Sequence, residues 1–263
     1  MLDFLYQTLL AFDATLRIAT PFMLCAMAGI FSERSGIVDI SLEGKLLSGA
    51  FVAATVAALT GSAWLGLGCA ILAGITMSLI HGFACITHKG DQVVSGVAIN
   101  ILASGLTIVL GIALFKRGGQ TPSLPKEDRF TPIEWWGVEM MDSVPVLGSI
   151  YRQLISGHNM LVYVALLCVP LTAFILYKTR FGLRLRAVGE VPQAVDSAGI
   201  SVTWLRYRAL ILGGALCGIA GAYLSIAQGG NFVKEMSAGK GYIALAAVIF
   251  GNWKHFTAFL GCI

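Results

Sequence analysis

Long apolar runs separated by short polar breaks make up most of the chain. Twenty helical residues at 1.5 Å each match a hydrocarbon core of ~30 Å. On that measure residues 14–31, 37–59, 63–86, 93–115, 159–177 and 204–228 are predicted to be full spans. Residues 1–12 are apolar apart from Asp3 and Gln7, and read as a separate leading or interfacial helical segment. The run 241–250 is too short to cross and predicts a half-span buried in protein, the setting in which interrupted helices are tolerated at membrane depth. The run 256–263 reaches the end of the sequence before it is long enough to span, as in a domain truncated in mid-span. The pattern therefore predicts one all-α polytopic membrane domain over 1–263, with about six spans and a half-span.

The breaks carry the rest of the organisation. Residues 32–36 and 87–91 are tight polar turns. The longest break, 116–158, balances acids and bases. Pro122, Pro125, Pro132 and Pro145 interrupt any long helix there, and Trp135, Trp136 and Tyr151 suit a membrane–water interface. The break at 178–201 is different. Lys178, Arg180, Arg184 and Arg186 fall within it, and Arg206 and Arg208 follow. Pro192 fits the first turn of a helix, Gly199 a left-handed C′ position and Ser201 the N-cap of the next span. A short, sharply bounded helix over about 190–198 is expected between two long ones. Basic residues flanking spans mark the cytoplasmic side. That places 178–201 inside, 116–158 outside and the N-terminus outside.

Composition agrees and narrows the function classes. Hydrophobic residues make up 57% and charged residues 12% of the chain, with a mean hydropathy of +0.80. A soluble domain carries about 25% charged residues. The net charge of +4 comes from residues beside spans and gives no reason to expect nucleic acid. The six cysteines form no CxxC and lie in apolar runs, as buried small hydrophobes do. His81, His88, His158 and His255 are scattered, with no HExxH, and no phosphate-binding GxxxxGK[ST] occurs. No catalytic residue, metal site or cofactor is expected.

Polar residues inside the apolar runs are the candidates for function. Read as one helix, 37–59 puts Asp39 and Glu43 on the same face, with Lys45 close by. Such carboxylates either face protein or water, or lie at the headgroups with Lys45 snorkelling outward. Gly96, Asn100 and Ser104 repeat every four residues and form a small polar stripe, fit for helix packing or for lining a path. Gly214, Gly218 and Gly221 allow close helix approach.

Four stretches together resemble a known family. They are Phe-Ser-Glu-Arg-Ser-Gly-Ile-Val-Asp-Ile-Ser-Leu-Glu-Gly from Phe31, Val-Ser-Gly-Val-Ala-Ile-Asn-Ile-Leu-Ala from Val94, Gly-Leu-Arg-Leu-Arg-Ala-Val-Gly-Glu from Gly182 with Ala194 and Ala198-Gly-Ile, and Gly-Tyr-Ile-Ala-Leu-Ala-Ala-Val-Ile-Phe-Gly-Asn-Trp from Gly241. In this order they resemble the permease subunit of an ATP-binding-cassette importer, in the group for nucleosides, simple sugars and branched-chain amino acids. The first two stretches are most similar to the nucleoside branch.

The resemblance implies a permease dimer, homo or hetero, with two ATPase subunits docked inside and a solute-binding protein outside. It implies that Gly189, Glu190, Pro192, Ala194, Asp196, Ala198 and Gly199 form the coupling segment that meets the ATPase. Asn100 and Ser104, with Glu43 and Asp39, are the candidates for the translocation path. The chain departs from the family pattern at Asp39, where Asn is usual, at Ser41 for Gly, at Lys45 for Met or Gln, and at Val191 for a polar residue. The alternatives are a simple-sugar permease of the same kind, an ion-coupled secondary transporter using its intramembrane carboxylates, and a non-transporting membrane scaffold.

Overall fold

The computed structural model describes residues 2–133 and 156–263; Pro145, Trp135, Trp136 and Tyr151 lie outside them. The described residues are helical, with only isolated bridges pairing Gln120 with Val233 and Pro132 with Asn159. Among the described residues, six helices are long and apolar enough to cross a membrane. The all-α polytopic expectation holds.

Helix α1 is Leu2–Glu33 and runs unbroken through Pro21. The separate leading segment expected over 1–12 is instead its first turns. No proline or glycine lies between the two stretches, so the helix propagates across Asp13. Helix α2, Leu42–Thr60, ends at Gly61 in the left-handed conformation, and Ser62 at once caps α3. Helix α3, Ala63–Gly82, continues as a π turn over Phe83–Thr87. Asp91, Asn159, Thr179 and Ser201 each accept a backbone N–H of the helix that follows. Those helices are α4, Gln92–Phe115; α5, Met160–Lys178; α6, Arg180–Glu190; and α8, Val202–Ala222, which continues as a π turn over Tyr223–Gly229. Between α6 and α8 lies the short α7, Pro192–Ser197. Helix α9 is Lys240–Phe250, the expected half-span, and α10 is His255–Cys262.

Helices α1, α2 and α8 form the centre. In their most apolar windows 72%, 78% and 72% of residues are buried, against 39%, 28% and 33% in α3, α4 and α5. The latter three therefore present apolar faces outward. Glycine sets the spacing at the centre. A Cβ at Gly74 would overlap the Gly214 carbonyl, and one at Gly218 the Ala70 carbonyl, so α3 and α8 touch backbone to backbone. Gly221 does the same against α2 at Leu46. Without Cβ atoms, dispersion contacts between main chains replace a hydrophobic driving force that lipid does not supply.

The half-span lies in this frame. Ala244 and Val248 of α9 join the core cluster of α1 that includes Met23, Leu24 and Met27. Helix α10 turns back beside α9, with Ala258 against Gly251 and Gly261 against Ala247. The loop before α9 is braced by the loop after α4: Thr121 donates to the Phe232 carbonyl at 3.1 Å and Leu124 to the Gly230 carbonyl at 2.8 Å.

Candidate functional site

The start of α2 differs from the sequence expectation. Ile37 to Asp39 are not helical, and the helix begins only at Leu42. Asp39 and Glu43 therefore do not share a helix face. Tertiary bonds hold the non-helical segment open: Val38 N–H donates to Gln92 Oε1 at 2.7 Å, and Asn100 Nδ2 donates to the Ile40 carbonyl at 3.0 Å.

Asp39 and Lys45 are sealed inside. Both side chains are 0% exposed, with Lys45 Nζ 2.5 Å from Asp39 Oδ2. Ser41 Oγ donates to Asp39 Oδ1 at 2.5 Å, and His81 Nε2 lies 4.0 Å from the same oxygen. His81 Nδ1 is 3.1 Å from Ser95 Oγ on α4. Burial alone would raise the Asp39 carboxyl, but the Lys45 ammonium and the hydrogen bonds outweigh it and hold the group below the usual carboxylate range. This cluster ties α2, α3 and α4 together and has no opening to solvent. Lys45 does not snorkel, and Asp39 is not among the residues bordering the cleft described next.

Glu43, Asn100 and Ser104 do come together. They border an open cleft of about 510 Å³ between α2, α4 and the start of α9. Glu43 is nearly buried, and both its oxygens are engaged: Gly239 N–H donates at 2.8 Å and Gly241 N–H at 2.6 Å. These are first-turn amides of α9, a helix whose N-cap residue, Gly239, has no side chain to offer. A carboxylate from α2 thus supplies the missing cap and meets the positive end of the helix dipole. Glycine is required at 241, because a Cβ there would sit 2.5 Å from the Glu43 nitrogen.

Asn100 is similarly committed. Its Oδ1 accepts Gly44 N–H at 2.8 Å, and its Nδ2 donates to Ile40 and to the Tyr242 hydroxyl, the latter at 2.7 Å. Gly96, one turn earlier, packs against Ile40. The stripe is thus split in function: Gly96 packs, Asn100 anchors and Ser104 faces the cleft. Ser104 Oγ donates to Glu235 Oε1. Glu235 is exposed on the loop before α9 and holds a left-handed φ of 58°. Leu47, Val97 and Ile101 form the apolar wall. Glu235 and Tyr242 were not singled out by the sequence. Their only signal is that the polar break before the half-span must return next to it.

Comparison with known proteins fits this arrangement. The family described as branched-chain amino acid transport system / permease component matches residues 11–263. The chain is 39% identical over 249 residues to the guanosine ABC transporter permease protein NupQ of Bacillus subtilis, covering 91% of this chain and 74% of that one. It is 36% identical to the nucleoside ABC transporter permease protein NupC of Lactococcus lactis, covering 93% and 76%. It is 35% identical to the putative glucose ABC transporter permease protein TsgC13 of Haloferax volcanii, covering 92% and 70%.

The chain belongs to this permease family. No solved structure matches it. With six helices able to cross a bilayer, the permease is a multi-pass protein of the bacterial inner membrane.

At one end of the permease the short helix expected over about 190–198 is α7, and the basic residues before it form a second helix, α6. Glu190 closes α6, Val191 is extended, and Pro192 opens α7. The break follows from Pro192, which removes a backbone donor and disfavours helical geometry in the residue before it. Val195 of α7 is buried against Val188 and Leu205, while Ala194, Asp196 and Ala198 point outward. Gly199 is left-handed (φ 76°) and follows the helix end, as expected. Gly189 and Glu190 lie at the exposed end of α6, and Val191 is 52% exposed.

Proposed function

We propose that this permease imports nucleosides, working as one transmembrane domain of an ATP-driven complex. The carrying observation is the agreement between the cleft and the relatives. NupQ and NupC are named for guanosine and for nucleosides. The cleft of about 510 Å³ falls in the range of ~300–1,000 Å³ that holds small organic ligands. It offers an apolar wall for a base, with Ser104, Glu235 and the Tyr242 hydroxyl as partners for sugar hydroxyls. Ser104 and Glu235 contact the solute; Glu43 and Asn100 shape the site around it.

In this reading α6 and α7 face the cytoplasm. Ala194, Asp196 and Ala198, with Gly189, Glu190, Pro192 and Gly199 framing them, receive the ATPase subunit, where ATP is hydrolysed. A second permease subunit, identical or not, completes the path, and a solute-binding protein docks at the face carrying residues 116–133. The ion-coupled alternative drew on Asp39 and Glu43. It loses its support, since Lys45 neutralises the first and two α9 amides occupy the second.

The sugar reading keeps one observation in its favour, the likeness to TsgC13, named as a putative glucose permease. The test is to purify the permease with whatever ATPase it captures and to measure hydrolysis in proteoliposomes with the solute-binding protein. Stimulation by guanosine or uridine and not by hexoses is expected. Stimulation by hexoses alone would replace the nucleoside reading, and failure to capture any ATPase would remove both.

A further inference from the structure

The turn at residues 32–36 touches three elements. On one side it meets α6: a Cβ at Gly189 would sit 2.5 Å from the Arg34 carbonyl, and Gly36 packs against the Gly189 backbone. At its middle, the Ser35 carbonyl accepts Arg206 Nε at 3.2 Å, at the base of α8. On the other side, Arg34 donates from both Nε (3.2 Å) and Nη2 (2.9 Å) to the Trp253 carbonyl. Trp253 Nε1 returns a bond to Glu33 Oε2 at 3.3 Å.

Trp253 belongs to the turn that leaves α9. Asn252 and Trp253 both hold left-handed φ values, 51° and 55°, which side chains disfavour. Two consecutive strained residues persist only where their surroundings hold them, and here the Arg34 clasp does so. Eleven residues away, ~16 Å along the helix axis, the other end of α9 is held by Glu43, and Tyr242 of its first turn bonds Asn100 in the cleft. Helix α9 is thus a short strut with one end at the 32–36 turn and the other at the cleft.

We propose that Arg34 is a positioning residue that couples the ATPase-docking helices to the cleft: displacement of α6 at Gly189 moves the turn, the clasp carries that movement to Trp253, and α9 delivers it to Glu43 and Tyr242. This inference rests on the docking reading of α6 and α7.

The test is the ratio of solute moved to ATP hydrolysed, in proteoliposomes holding the permease, its ATPase, its second permease subunit and the solute-binding protein. The R34A variant is expected to capture the ATPase and to keep basal hydrolysis, with the transport-to-hydrolysis ratio lowered by roughly 5-fold or more, the lower bound for a coupling interaction. R34K retains a donor for the Trp253 carbonyl and is expected to fall between R34A and the parent. If R34A fails to assemble, R34K decides, and a parental ratio in R34K overturns the proposal. Full coupling in R34A also overturns it. Loss of ATPase capture in both variants would make Arg34 part of the docking surface and overturn it too. A parent chain that captures no ATPase is a separate result, and it overturns the docking reading together with this inference.

Discussion

Asp39 and Lys45 show how one residue's meaning depends on another's. The two meet at 2.5 Å in a fully buried pair. Removing one partner strands a buried charge, at a cost of ~3–5 kcal/mol, whereas removing both is often near neutral. D39N and K45M should therefore each lower the unfolding midpoint in detergent strongly, while D39N/K45M stays within ~1 kcal/mol of the parent or exceeds it. If the double variant is as unstable as the singles combined, the pair is not self-contained and His81 carries more of the cluster than its 4.0 Å separation suggests. Sequence alone could name Asp39 and Lys45 as oddities but not pair them. The pairing depends on the non-helical backbone at 37–39, and tertiary bonds from Gln92 and Asn100 hold that backbone. Asn100 and Ser104 were legible because a four-residue spacing is local. Glu235 and Tyr242, more than a hundred residues further on, were not.

Among the elements, the helices whose starts are written locally were the readable ones. Asp91, Asn159 and Ser201 each cap within three residues of themselves, so their signal is complete in the sequence. The split between α6 and α7 was also encoded, by Pro192, but the basic residues before it drew attention away from the helix they sit on. Glycine spacing predicted close packing without saying which partner each glycine meets. That ambiguity gives a sharp test within α3. Gly74 has the Gly214 carbonyl where a Cβ would go, while Gly68 has nothing within 4 Å. G74A is expected to destabilise the permease by ~1–3 kcal/mol, as overpacking against backbone does. G68A, the same change two turns earlier, should stabilise it by ~0.5–1 kcal/mol through helix entropy. Thermal unfolding of the two variants side by side checks the sign, and equal shifts would mean that α3 and α8 separate freely.

For the whole molecule, the arrangement is a rigid centre of α1, α2 and α8 with a cleft held at its side by α4 and α9. Ser104 is half-buried and open to the cleft, whereas Asn100 is buried and triply bonded. With Cys69 and Cys262 replaced by serine, S104C should react with a membrane-impermeant thiol reagent and be protected by the transported solute. N100C should instead lower the yield of folded protein without labelling. Labelling at 100 and not at 104 would turn α4 the other way. The cleft has one more consequence, for what it refuses. Glu43 and Glu235 border it, and no described residue lining it is a lysine or an arginine. A phosphorylated solute would bring its own negative charge beside Glu235, with no cation in the wall to receive it. In the nucleoside reading proposed above, a neutral nucleoside meets no such repulsion on entering the cleft, while a nucleotide does.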